Sequence, residues 1–147
     1  MDVEMLRTAL SSIPFNGHLG LEIVGLVGDK GVVRLPDSEP LRNHVGSQHA
    51  GALFAAAEAA SGAAVLGALG ARLAEVTPLA KGAEIQYLKM ARGVITATAS
   101  LGEDKAAILS RLDADGKVLT DVRVEMTDAE GVVVATMTVH WHMRKRA

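Results

Sequence analysis

The sequence predicts an α+β fold in which an antiparallel sheet of about five or six strands wraps around one long apolar helix. Two patterns carry that prediction. Between Arg42 and Arg72 the only formally charged side chain is Glu58, and the stretch is rich in Ala and Gly, as suits a helix buried on most sides. After Thr77-Pro78 the period becomes alternating, over 83–88, 94–101, 119–127 and 133–143.

The elements follow in order. Residues 3–12 form a short helix with Val3, Leu6 and Leu10 on one stripe, ended by Pro14 and Asn16-Gly17. Leu19 to Val27 is a strand, Gly28-Asp29-Lys30-Gly31 a hairpin turn, and Val32 to Leu35 the return strand. Pro36 to Pro40 is a polar loop. The long helix starts near Ser47 to His49, with Ser47 as its N-cap, and runs to about Leu73, where Thr77-Pro78 closes the region. Glycines at 46, 51, 62, 67 and 70 let neighbouring backbone approach it. Asp104 to Leu112 is a short amphipathic helix ending in Asp115-Gly116. The last strand places Val133, Ala135, Met137, Val139, Trp141 and Met143 on one face, and Val132, Val134, Thr136, Thr138, His140 and His142 on the other. The 147 residues make a single domain, 1–147.

Composition excludes several classes of function. A net charge of −2 and a pI near 6.2 provide no basic field for nucleic acid or anionic lipid. The four aromatic residues, Phe15, Phe54, Tyr87 and Trp141, are too few to stack bases. The absence of cysteine excludes disulfides, zinc–thiolate sites, iron–sulfur clusters and thiol nucleophiles. The low-charge stretch is long enough to span a bilayer. Its few large aliphatics and its central Glu, costing about 3 kcal/mol on insertion scales, point to a helix inside a fold instead. Met1-Asp2-Val3-Glu4 has no basic n-region and no apolar stretch, so a cytoplasmic protein is expected.

Glu58 is the residue that patterning singles out. No cation shares its helical face, so burial would raise its pKa, a condition found at functional sites and in structural networks alike. Just upstream, Asn43-His44-Val45-Gly46-Ser47-Gln48-His49-Ala50-Gly51 places an amide, two imidazoles and two flexible positions at a helix N-terminus. Its unpaired N–H groups can stabilise an oxyanion.

The run Asn43-x-x-Gly46-x-x-His49-Ala50-Gly51-x-x-Phe54-x-x-x-Glu58 resembles that of hotdog-fold thioesterases of the PaaI type. There it reads Asn-x-x-Gly-x-x-His-Gly-Gly, with a helical carboxylate nine residues after the His. The element order is similar over essentially the whole chain. The resemblance implies a hotdog fold and hydrolysis of an acyl-CoA thioester without a metal or other cofactor. It makes Glu58 the group that activates water or attacks the thioester, and Asn43 the amide that orients it. The Ala50 N–H, with Gly51, would polarise the carbonyl. Ser61 would position water, and Gly46, His49 and Phe54 would border the substrate. It also implies a homodimer or dimer of dimers, with Asn43 and Glu58 supplied by different chains.

Three departures mark the chain. Glu58 stands where Asp is usual, and Ala50 replaces the first Gly of His-Gly-Gly. The helix at 104–112 and the ending His140-Trp141-His142 resemble a branch of small bacterial hotdog proteins without assigned function. Two other readings therefore stay open: a non-catalytic dimer binding an acyl or CoA-like ligand, and a hydratase or dehydratase using His44 or His49. His140 and His142 have the geometry of half a metal site, but with no acidic neighbour in sequence they read as polar-face residues. Arg144-Lys145-Arg146 reads as a solvated end.

Overall fold

A computed structural model describes residues 2–147; Met1, the first residue of the acidic N-terminal tetrapeptide, lies outside them. The chain runs α1 (Val3–Ser11), α2 (Pro14–Leu19), β1 (Glu22–Val27), β2 (Lys30–Leu35), α3 (Ala50–Leu69), β3 (Val76–Tyr87), β4 (Ile95–Leu101), α4 (Lys105–Asp115), β5 (Lys117–Thr127) and β6 (Val133–Lys145). Short 3-10 turns occupy Glu39–Leu41 and Gly70–Glu75. The six strands form one antiparallel sheet in the order β1-β2-β4-β5-β6-β3. Helix α3 lies in its concave face against β2, β4 and β5, as the alternating runs and the low-charge stretch predict.

Several boundaries differ from expectation: the hairpin turn is Gly28-Asp29 alone, with β2 starting at Lys30, and four further differences have local reasons. Pro14 and Asn16-Gly17 do not end helical structure. Pro14 starts α2, since the first turn of a helix needs no N–H there, and Gly20 at φ +68° ends it, so β1 starts at Glu22. The N-cap of α3 is His49 and not Ser47: its Nδ1 accepts from the Gly51 N–H at 2.8 Å. That helix stops at Leu69, and Gly70 at φ +54° leads into the 3-10 turn. Thr77-Pro78 opens β3 instead of closing the region. Pro78 is tolerated because β3 is an outer strand, paired only with β6.

The core is aliphatic. Leu6 and Leu10 of α1, Ile108 and Leu112 of α4, and the inward residues of β4, β5 and β6 surround a nearly all-buried α3. One face assignment on β6 is reversed at its start: Val134 is buried, beside a register shift at Met126/Thr127. The tightest approach to the helix comes from a strand glycine outside the predicted set. A Cβ at Gly31 would lie 2.2 Å from the Ala60 carbonyl oxygen. Of the helix's own glycines, Gly67 is the crowded one, with Leu26 Cδ1 at 2.7 Å from an added Cβ. Among the described residues, Ala50–Glu75 is the one helical stretch long and apolar enough to cross a membrane, and 78% of its apolar window is buried in the fold.

Candidate active site

Glu58 sits near the middle of α3 and is half-buried. Its side chain faces a cavity of about 160 Å³ between α3, the α1–α2 segment and the start of β3. Leu10, Ile13, Val65, Leu66, Pro78 and Trp141 make the apolar walls, and Asn16 is the other side chain there with polar atoms beyond the indole N–H. No hydrogen bond or ion pair engages the carboxylate among the described residues. Burial among these groups pushes the Glu58 carboxyl above the ordinary carboxylate value.

The loop before α3 is a second construction. Asn43 Oδ1 accepts from the N–H groups of Val45 and Ser47, both at 3.0 Å, and its Nδ2 donates to Ser47 Oγ at 2.8 Å. This turn uses Gly46 at φ +77°, a conformation that strains other residues. Gln48, buried, donates to the carbonyls of Pro36 and Gly93, both at 2.9 Å, pinning the loop to two other segments. The His49 cap consumes the Gly51 N–H, so Gly51 is withdrawn from the expected pair of oxyanion donors. No hydrogen bond engages the Ala50 N–H among the described residues, and Ala50 is exposed at the first position of α3. The Tyr87 hydroxyl donates to the Ala50 carbonyl at 3.0 Å, which steadies that peptide. Asn43, Ala50, Tyr87 and Met90 border a recess of about 360 Å³.

Within one chain this recess and the Glu58 cavity are separate. Ala50, Phe54 and Glu58 recur at intervals of four along one stripe of α3, and Phe54 is exposed between the two openings. Ser61 departs from its expected role. It is fully buried, its hydroxyl donates to the Glu58 carbonyl at 2.7 Å, and it accepts from Trp141 Nε1 at 3.0 Å. It fixes the indole and does not face water. Sequence reasoning passed over Trp141, Asn16 and Pro78 as neighbours of Glu58. The inward face of β6 carried a signal for Trp141; nothing in the sequence marked Asn16.

The other candidates resolve differently. His49 Nδ1 is spent as the acceptor of the helix cap. His140, on the sheet face away from α3, is flanked by Asp121 Oδ1 at 2.6 Å and Glu84 Oε2 at 2.8 Å, from the adjacent strands. Hydrogen bonds to Asp121 and then to Glu84 raise its pKa. No metal-binding cluster occurs among the described residues. The C-terminal cations are not simply solvated: Lys145 Nζ is 3.1 Å from Asp113, and Arg146 donates to Thr77 Oγ1 and the Ala74 carbonyl.

A family model described as "Domain of unknown function (DUF4442)" matches residues 4–143. The chain belongs to this DUF4442 family. No curated protein matches it. Solved structures do. A Pseudomonas aeruginosa protein of unknown function, described as a "Probable Thioesterase", is 27% identical over 99% of this chain and 97% of that one, with a TM-score of 0.86. A protein of unknown function from Chlorobaculum tepidum has the same TM-score at 18% identity, covering 98% of this chain and 94% of its own. A thioesterase from Haemophilus influenzae has a TM-score of 0.78 at 18% identity, over 99% and 92% of the two chains. This DUF4442 chain has the hotdog fold of the thioesterase superfamily.

Proposed function

We propose that the protein is a PaaI-type acyl-CoA thioesterase that works as a homodimer, with Glu58 as its catalytic carboxylate. The observation that carries this reading is a carboxylate facing an apolar cavity with no hydrogen-bond partner among the described residues. Glu58 takes a proton from water as the water oxygen attacks the thioester carbonyl carbon. The oxyanion is held by the Ala50 N–H and helix N-terminus of a second copy, since within one chain the recess at Ala50 and the Glu58 cavity are separate. The C–S bond then breaks, and the proton passes to the departing thiolate. Water, the thioester and these side chains balance the reaction without a metal or redox group.

In this reading a second copy brings its Asn43 loop against Glu58. Two features support the pairing. β3 is an open sheet edge, and the exposed apolar side chains of Val45, Tyr87, Leu88 and Met90 line the recess, with Phe54 exposed one turn along α3. The Asn43 amide, with one N–H spent on Ser47, offers its other N–H to the substrate.

The test is free-thiol release from short, medium, long and aryl acyl-CoAs, beside Glu58→Gln. Turnover that falls by at least about 100-fold in the variant is expected, in the range typical of a lost acid–base group. Turnover retained in Glu58→Gln removes Glu58 from the chemistry. Binding of acyl-CoA without turnover in the wild type transfers the assignment to a ligand-binding protein.

A further inference from the structure

We infer that the cavity beside Glu58 is the acyl pocket, that it admits chains of about six carbons or a single ring, and that Trp141 and Ile13 set this limit. The inference rests on the thioesterase reading and names its substrate class.

A cavity of about 160 Å³ matches the apolar cavity of about 150 Å³ that takes up benzene. Away from Glu58 and Asn16 the lining is hydrocarbon and indole, so a polar or charged acyl group would lose hydration without gaining partners. The Trp141 wall is held in place. The indole of Trp141 is buried and bonded to Ser61, and its ring edge lies 3.8 Å from where a Cβ on Gly62 would stand. Neither side can retreat to lengthen the pocket without breaking that bond or moving α3. The opposite wall is softer. Ile13 links α1 to α2 and lines the cavity with part of its side chain while 43% exposed, so trimming it lengthens the apolar cavity along the α1–α2 seam without emptying a core.

The chain's only tryptophan therefore stands on the pocket wall and reports its occupancy. The experiment follows Trp141 emission in wild type and Ile13→Ala during titration with 1-butanol, 1-hexanol and 1-dodecanol. The same proteins are assayed with butanoyl-, hexanoyl- and dodecanoyl-CoA. The alkanols carry the chain alone and need no catalysis. Wild type is expected to gain about fourfold in affinity per methylene up to 1-hexanol and nothing beyond it. In Ile13→Ala that break moves towards 1-dodecanol, and relative kcat/KM shifts the same way. No emission response, affinity still climbing to 1-dodecanol in wild type, or an unchanged profile in Ile13→Ala overturns the inference. Saturable alkanol binding without hydrolysis keeps the pocket and removes the thioesterase reading. Hydrolysis without an alkanol response does the reverse.

Discussion

A carboxylate with no partner and a hydroxyl with two lie one turn apart on α3. Glu58 is left to the cavity, whereas Ser61 is consumed by the Glu58 carbonyl and the Trp141 indole. Ser61→Ala should leave a buried indole N–H unpaired, costing about 1–3 kcal/mol in chemical unfolding and shifting Trp141 emission. An unchanged spectrum would show that the bond is not what holds the ring. The raised Glu58 pKa has a kinetic consequence: the base must be ionised, so the acid limb of kcat/KM should fall above the ordinary carboxylate range. A limb at the ordinary value would mean that the titrating group is another residue. His140 makes the opposite kind of contribution. Its folded pKa is raised above its ordinary 6.5, so its pairing with Asp121 and Glu84 stabilises fully below that value. The contribution is lost as pH climbs through the folded pKa. Thermal unfolding across that window should slope downwards in wild type and less so in His140→Gln; equal slopes would dismiss the cluster as inert.

At the scale of elements, the boundary errors trace to side chains doing two jobs. Ser47 looks like a cap because Ser usually is one, yet its hydroxyl serves Asn43 while the imidazole two residues later caps α3. His49→Ala should cost on the order of 1 kcal/mol and free the Gly51 N–H, with thermal denaturation as the readout. Pro14 and Pro78 both read as breaks, since a proline interrupts helix and sheet interiors. Neither sits in an interior: one occupies a first helical turn and the other an outer strand. The strands from β4 onwards and α4 were legible, because alternation and the Asp115-Gly116 stop are local signals. The three-dimensional partners of Glu58 were not. Asn16 and Trp141 reach it only once α1–α2 and β6 have folded against the helix.

The whole molecule presents one half of each proposed site at two separate openings. Motif spacing identified Asn43, Ala50 and Glu58 together. It does not encode the interval between them in space, which the helix stripe and the sheet edge set. If the halves meet across a dimer, Asn43→Ala and Glu58→Gln subunits mixed and re-associated should recover activity that neither has alone. Inactive mixtures would place both residues in one subunit's site. Sedimentation should give twice the 15.3 kDa chain mass.

The contact between Gly31 and Ala60 also bears on which substitutions this chain can absorb. Here strand and helix rest main chain on main chain, with no side chain between them as a spacer. The depth of α3 in the sheet, and so the height at which Glu58 is held, does not depend on which aliphatics fill the surrounding core. Leu, Val and Ile can exchange there over generations and alter stability while the carboxylate keeps its station. A single methyl at position 31 would displace the helix itself.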